Sequence, residues 1–190
     1  MQTLLAAATI LAGASACEEM RPREIMSHVG QGYVLDEGIQ LVFGRDASLD
    51  TEYDYGQRAM LYVSQRGESQ RTYYSSGAGD SSAMKPSFFG QCGPHRLLIL
   101  AEVGNEFSWG FRVFAYDGKS LRDLGEIPIA VQGDPDMESA IPFVQFTPHD
   151  KVVDLTFTTS VLKDPGSQFP QALPAGSVRY QIGSTSVRER

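Results

Sequence analysis

Short apolar runs recur along this chain, and they constrain its fold more than any other feature. The runs are rich in β-branched and aromatic residues and are bounded by Gly, Pro, Asn or Asp, whereas residues that start or stop a helix are scarce. Such runs are typical of strands separated by turns. We therefore expect a mainly β fold with little helix, an antiparallel sandwich or partly closed barrel of roughly eight to ten strands.

Two stretches show the expected strand patterns clearly. Residues 96–103 are almost continuously apolar, as expected of a central strand that is covered on both faces. In residues 151–162, the positions on one face are mostly apolar and those on the other are polar. This alternation is typical of an antiparallel strand with one buried and one solvated side.

The sequence predicts one hairpin in detail, around Asp117-Gly118. An Asp-Gly pair favours a two-residue turn, because both central residues of that turn take positive φ angles. Such a turn would place Phe114 opposite Leu121 and Arg112 opposite Asp123. The first pair is apolar and the second carries opposite charges, so both would stabilise this register.

The first seventeen residues, MQTLLAAATILAGASAC, indicate export. Residues 4–13 form an apolar run about as long as the core of a signal peptide, and Ala14-Ser15-Ala16 supplies a small-residue cleavage site. The run is much shorter than the roughly 20 apolar residues that span a bilayer. We therefore predict that residues 1–16 are a signal peptide.

Cys17 follows the predicted cleavage site and has two possible fates. The segment Ala14-Ser15-Ala16-Cys17 resembles a bacterial lipobox, with Ala14 in place of the usual leucine. This resemblance implies that Cys17 is lipidated and that the protein is an outer-membrane lipoprotein. Alternatively, Cys17 forms a disulfide with Cys92 in an oxidising compartment, and the protein is free in the periplasm.

After the signal, we expect a polar tether over residues 17–31, with one turn of helix at 22–27, and a single β domain over 32–190. The formal net charge is −7 and the sequence pI is about 4.9. This acidity disfavours nucleic acid and anionic lipid as partners, since both attract Lys and Arg. Membrane attachment is therefore expected only through a lipid anchor, whereas a basic protein partner is favoured.

Catalytic motifs are absent from the sequence. It has no Gly-x-Ser-x-Gly elbow, and its glycine-rich residues 75–80 lack the lysine of a phosphate loop, so we interpret them as a flexible hairpin tip. The three histidines are far apart, and we expect neither a metal nor a cofactor. The carboxylates of Glu102, Glu106 and Asp123 would suit a hydrolase only if the fold brought them into one cleft.

Acidic residues and tyrosines are concentrated near position 50. Residues 46–54 contain four acidic residues and no basic one, and five of the eight tyrosines lie between positions 53 and 74. Tyrosine is enriched at protein interfaces. We predict a protruding loop over residues 46–55 that contacts a basic protein surface through Asp50, Glu52, Tyr53, Asp54 and Tyr55. The alternative is a solvated connection between strands, with its tyrosines packed on the sheet.

A second acidic cluster, residues 134–138, is interpreted as a solvated loop.

Three classes of function agree with these features. The favoured one is a noncatalytic exported envelope protein that binds a macromolecular partner, such as an inhibitor or immunity protein against a basic enzyme, or an assembly factor. The second is a carboxylate-dependent hydrolase of the envelope. The third is a carrier of a small ligand, which would require a barrel with an apolar cavity.

Overall fold

The fold, obtained as a computed structural model, is described for residues 17–132 and 139–190. These residues form antiparallel strands and two short 3-10 turns, Ala47–Leu49 and Ile141–Phe143. The strands are β1 (Glu18–Met20), β2 (Arg23–Ser27), β3 (Gly30–Asp36), β4 (Ile39–Gly44), β5 (Arg58–Gln65), β6 (Glu68–Tyr74), β7 (Ala83–Cys92), β8 (His95–Gly104), β9 (Ser108–Tyr116), β10 (Leu121–Ile127), β11 (Ile129–Val131), β12 (Val144–Pro148), β13 (Val153–Phe157), β14 (Val161–Lys163), β15 (Gln171–Leu173), β16 (Arg179–Ile182) and β17 (Val187–Glu189). The predicted mainly β, antiparallel fold is confirmed.

The strands form four sheets. A central sheet has the order β1-β7-β8-β9-β10, and an N-terminal sheet has the order β2-β3-β4-β5-β6. Two smaller C-terminal sheets have the orders β12-β13-β16-β17 and β11-β14-β15. The strand expected over residues 151–162 divides between the two C-terminal sheets, as β13 and β14. Because of divisions of this kind, the described residues contain more strands than the eight to ten that we expected.

The central sheet is buried on both faces. Leu98 and Leu100 of β8 belong to a core cluster with Leu155 and other residues of the C-terminal sheets. The intervening residue Ile99 belongs to a second cluster with Leu41 and other residues of the N-terminal sheet. Because side chains alternate between the faces of a strand, the two clusters lie on opposite sides of β8. The prediction of a central strand over residues 96–103 is therefore confirmed.

The predicted register of the hairpin around Asp117-Gly118 is wrong. Leu121 pairs with Tyr116, and Arg112 pairs with Glu126 instead of Asp123. The Asp117 carboxylate accepts hydrogen bonds from the backbone N–H groups of residues 119 and 120, at 3.0 and 2.9 Å. Asp side chains commonly stabilise turns in this way. The connection therefore has four residues instead of two, and an irregularity between Asp123 and Gly125 shifts the register by one more residue before Arg112.

The predicted polar tether is also wrong in part, because most of it lies in strands. β1 pairs with β7, and β2 pairs with β3. Each of these short strands lies at the edge of its sheet, and its side chains are largely exposed. An edge strand is stabilised by backbone hydrogen bonds to its neighbour. It needs no apolar face, so the hydrophobic pattern of the sequence does not reveal it.

Candidate partner-binding loop

The loop predicted to bind a partner joins β4 to β5. We call residues 45–57 the acidic loop. Its 3-10 turn begins after Asp46, whose carboxylate accepts a hydrogen bond from the N–H of Ser48 at 3.0 Å. Farther along, the N–H of Thr51 donates to the carbonyl oxygen of Asp54 at 2.8 Å. Local hydrogen bonds of this kind are typical of Asp, Ser and Thr in turns, and they fold the loop back on itself.

The acidic loop is organised around the fully buried side chain of Arg58. Its Nη1 donates to both carboxylate oxygens of Asp54, at 3.0 and 3.1 Å, and to the carbonyl oxygen of Ser75 at 3.1 Å. Its Nη2 donates to the carbonyl oxygens of Asp54 and Leu49, at 2.8 and 3.2 Å. A buried guanidinium is tolerated only with partners of this kind, so Arg58 holds the loop at Leu49 and Asp54 and ties it to Ser75.

The loop carboxylates are paired with arginines inside the protein. Asp50 accepts hydrogen bonds from Arg45 at 2.8 Å and from Arg58 at 3.4 Å, and the bond from Arg45 contributes most to lowering its pKa. The pKa of Asp54 is lowered chiefly by the N–H of Gly77 and then by Arg58. These two carboxylates therefore hold the loop in place rather than offering a free negative surface.

Residues 75–79 do not form the predicted hairpin tip. They lie in the connection from β6 to β7 and are bonded to the acidic loop: the N–H groups of Ala78 and Gly79 donate to the carbonyl oxygens of Gln57 and Tyr55, at 2.9 and 3.0 Å. The two backbones lie so close at Gly77 that a Cβ atom there would be 1.8 Å from the carbonyl oxygen of Tyr55. Gly77 therefore allows a close backbone contact here.

Arg112, a residue that the sequence did not single out for this site, holds the same connection from the opposite side. Its Nη1 and Nη2 donate to the carbonyl and hydroxyl oxygens of Ser76, at 2.6 and 2.8 Å. Nη2 also forms an ion pair with Asp123. Residues 75–77 are thus held between the side chains of Arg58 and Arg112. The signals that the sequence offered were an arginine at the start of one apolar strand and another inside a second.

The tip of the acidic loop faces solvent. Tyr53 is 88% exposed, and Glu52 is also exposed. Tyr55 is half-buried. Of the five residues predicted to bind a partner, Asp50 and Asp54 thus have partners within the protein, whereas Glu52 and Tyr53 are presented to solvent.

The five clustered tyrosines do not form one patch. Tyr73 packs against the core between the central and N-terminal sheets. Tyr74 lies beneath the guanidinium of Arg71, with 5.5 Å between the guanidinium carbon and the ring centre, and Arg71 is bonded to Asp46. Sheet packing therefore accounts for part of the tyrosine cluster, as the alternative interpretation expects, and Tyr53 is the member most exposed to solvent.

Cys17 and Cys92 are joined by a disulfide, with their Cα atoms 4.3 Å apart and a sequence separation of 75 residues. Cys92 is fully buried and ends β7, while Cys17 directly precedes β1. The bond therefore fastens the N-terminal strand to its neighbour in the central sheet. A sulfur atom in a disulfide cannot also carry a thioether-linked lipid.

The remaining candidate residues lie apart. Glu102 accepts hydrogen bonds from the hydroxyls of Ser108 and Ser139, at 2.8 and 2.6 Å. Glu106 lines a different depression, and Asp123 is paired with Arg112. Within residues 17–132 and 139–190, no three His, Cys, Asp or Glu side chains are grouped to hold a metal ion. The predicted solvated loop over residues 134–138 lies outside the described residues.

Comparison with known proteins gives no relative: no family model, no curated protein and no solved structure matches this chain. In the part of the chain that the structure describes, no helix has the length and apolar character needed to cross a membrane.

Proposed function

We propose that this chain is an exported, noncatalytic protein that binds a basic protein partner through the tip of its acidic loop. The partner would be a basic enzyme that the chain inhibits, or a protein whose assembly it assists. The observation that carries the proposal is the position of Tyr53, which is 88% exposed at the tip of a loop that the buried Arg58 holds in place.

A rigid loop with an exposed tyrosine suits protein recognition for two physical reasons. Tyrosine buries a large amphipathic surface, and it is enriched among the residues that contribute most to binding energy. A loop that is already ordered loses little conformational entropy when it binds, so more of the contact energy appears as affinity. The internal bonds of Asp50 and Asp54 supply that order here.

Charge supports a basic partner. Glu52 lies beside Tyr53 at the exposed tip, and the whole chain carries a formal charge of −7. Complementary charge accelerates association and suppresses wrong partners. Binding that depends on Glu52 and on this overall charge would weaken as the salt concentration rises.

The disulfide supports a periplasmic location for the mature protein. We propose that molecules with the Cys17–Cys92 bond are free of a lipid anchor, because their Cys17 sulfur is already bonded. Intact mass of the protein purified from cells tests this: a mature species that begins at Cys17, lacks lipid and is two hydrogens lighter than the dithiol is expected. A mass increased by acyl chains would contradict it.

Capture experiments with matched variants test the binding proposal. Immobilised wild-type protein, Tyr53→Ser and Phe169→Ser would be exposed to envelope extract from the source cells. Phe169 is 83% exposed and lies outside the acidic loop, so it controls for the loss of any exposed aromatic side chain. We expect a basic protein to be retained by the wild type and by Phe169→Ser, and to be lost at least tenfold with Tyr53→Ser.

Two outcomes would contradict this proposal. Equal retention by all three proteins would show that the tip of the acidic loop is not the binding surface. Failure of the wild type to retain any basic protein at low salt would argue against the function itself.

A further inference from the structure

Two depressions have Trp109 as a shared lining residue. One, with a volume of about 200 Å³, is lined by Gly77, Trp109, Arg112, Glu126 and neighbouring residues. The other, of about 390 Å³, is lined by Asn105, Glu106, Phe107, Trp109 and Gly166. Trp109 lines both, and we call the two depressions together the Trp109 groove.

Gly110 shapes the groove next to Trp109. A Cβ atom at this position would lie 2.2 Å from the carbonyl oxygen of Ile127, and its φ angle is +119°. Only glycine combines that conformation with such close contact at little cost. The chain can therefore pass from β10 to β11 directly against β9, and it forms one wall of the groove.

Arg112 and Glu126 place an unused donor next to an acceptor in the first depression. The Nη atoms of Arg112 are bonded to Ser76 and Asp123, but its Nε is buried and has no hydrogen-bond partner among the described residues. The Arg112 side chain is 7% exposed, and its Nε lies 4.0 Å from Oε1 of Glu126. Because Nε is closed to solvent, a hydroxyl group can enter between them only when the exposed Glu126 side chain moves aside. It would then accept a hydrogen bond from Nε–H and donate one to the carboxylate, which satisfies both.

The aromatic residues supply an apolar surface beside these polar groups. Trp109 is half-buried and packs against the core, so its ring is held in place. Phe107 is 41% exposed on the second side of the groove. Aromatic rings combined with a few placed polar groups are typical of small-ligand sites. A sugar ring matches this combination, because its faces present C–H groups and its rim carries hydroxyls.

Charge selects among sugars. Glu106 and Glu126 both lie at the groove, while the positive charge of Arg112 is shared between Asp123 and Glu126. A phosphate or a sugar carboxylate would meet a net negative charge and would be repelled. We therefore propose that the Trp109 groove binds a neutral saccharide, with a sugar ring against Trp109 and a hydroxyl between Arg112 Nε and Glu126.

This site goes beyond the proposed protein-binding function and is separate from the exposed tip of the acidic loop. Residues 76–78 lie between the two: Gly77 and Ala78 are bonded to the acidic loop, and Ser76 is bonded to Arg112. Tyr53→Ser is therefore expected to leave saccharide binding unchanged, so the two proposals can fail independently.

The chain provides its own probe, because Trp109 is its one tryptophan. Intrinsic fluorescence of the purified protein would be titrated with neutral oligomers of glucose, of N-acetylglucosamine and of xylose, and with a galacturonate oligomer as the anionic control. We expect a saturable change with at least one neutral oligomer, confirmed by calorimetry, and none with galacturonate. The proposal is overturned if no neutral oligomer of this panel binds by either measurement, or if galacturonate binds more tightly.

Variants locate the binding. Glu126→Ala is expected to weaken the affinity for the neutral oligomer at least tenfold, and because this side chain is 72% exposed, the circular dichroism spectrum should not change. Phe169→Ala serves as the control and should bind like the wild type. If Glu126→Ala binds as tightly as the wild type, the saccharide does not occupy the position between Arg112 and Glu126, and the proposal is wrong.

Discussion

At the scale of single residues, two buried arginines determine the shape of the candidate surfaces. Arg58 and Arg112 lie on different sheets, yet both donate to the connection between β6 and β7, at Ser75 and Ser76. Each also forms an ion pair with a carboxylate from another loop or strand. A buried charge is costly unless its donors are satisfied, so these contacts strongly favour one arrangement of the surrounding chain.

Arg58→Met should be strongly destabilising. The substitution leaves the carboxylates of Asp50 and Asp54 without their buried partner, and loss of one member of a buried pair costs about 3 kcal/mol or more. Arg45 bonds the same Asp50 but its side chain is 57% exposed, so Arg45→Met should cost less than about 1 kcal/mol. Urea unfolding followed by circular dichroism measures both values, and equal losses would contradict the central role of Arg58.

At the scale of elements, the N-terminal strand depends on a covalent bond. β1 has only three residues, and all three are exposed. Its backbone pairing with β7 is short, and a strand of this kind contributes little burial. The Cys17–Cys92 disulfide holds it in place at the N-terminal end.

Reduction of this disulfide should lower the free energy of unfolding by about 4 kcal/mol, since a bond that closes a loop of this size restricts the unfolded chain by about that amount. Urea unfolding of the purified protein with and without reductant measures the change. A Cys17→Ser, Cys92→Ala double variant is the control, and its unfolding midpoint should not respond to reductant. An unchanged midpoint in the reduced wild type would refute the expectation.

At the scale of the whole molecule, sequence patterns predicted the layers better than their connections. The continuous apolar run at 96–103 identified a strand that is covered on both faces, because such a strand needs apolar residues at consecutive positions. The register after Asp117 and the position of Arg58 depended on individual hydrogen bonds. Arg58 donates to Ser75, 17 residues away, and no local pattern reports such a pair.

The polar partners of these arginines explain why the candidate site was only half predicted. Asp50 and Asp54 were singled out because no basic residue lies among them in the sequence. In the fold, Arg45 precedes this group and Arg58 follows it, and both turn back onto its carboxylates. Exposure, which separates Tyr53 from the other tyrosines, is likewise a property of the folded chain.

Acid should destabilise the whole protein through His95, which is buried where the central sheet meets β16. Burial lowers the pKa of this imidazole, and Arg122 adds to the effect, while a hydrogen bond to the backbone of Ile182 opposes it. The unfolded chain therefore binds this proton more readily than the folded protein. Above the ordinary pKa of 6.5, this group should not lower the free energy of unfolding. The free energy of unfolding should fall as the pH drops below that value, by at most about 1.4 kcal/mol per pH unit.

Urea unfolding between pH 7 and pH 5 measures this dependence. His95→Asn keeps a side-chain N–H donor but does not titrate, so its free energy of unfolding should vary less over the same range. If the variant and the wild type lose stability with the same slope, His95 is not the group responsible.

The short strand β1 also determines which groups are exposed at its edge of the central sheet. β7 is ten residues long and contains Phe88 and Phe89, and a long apolar strand with unpaired backbone groups is a template for aggregation. β1 covers part of this margin and places Glu18 and Glu19 there instead. The disulfide that retains β1 therefore also keeps this part of the sheet edge covered, because loss of β1 would expose the backbone groups of β7 that pair with it.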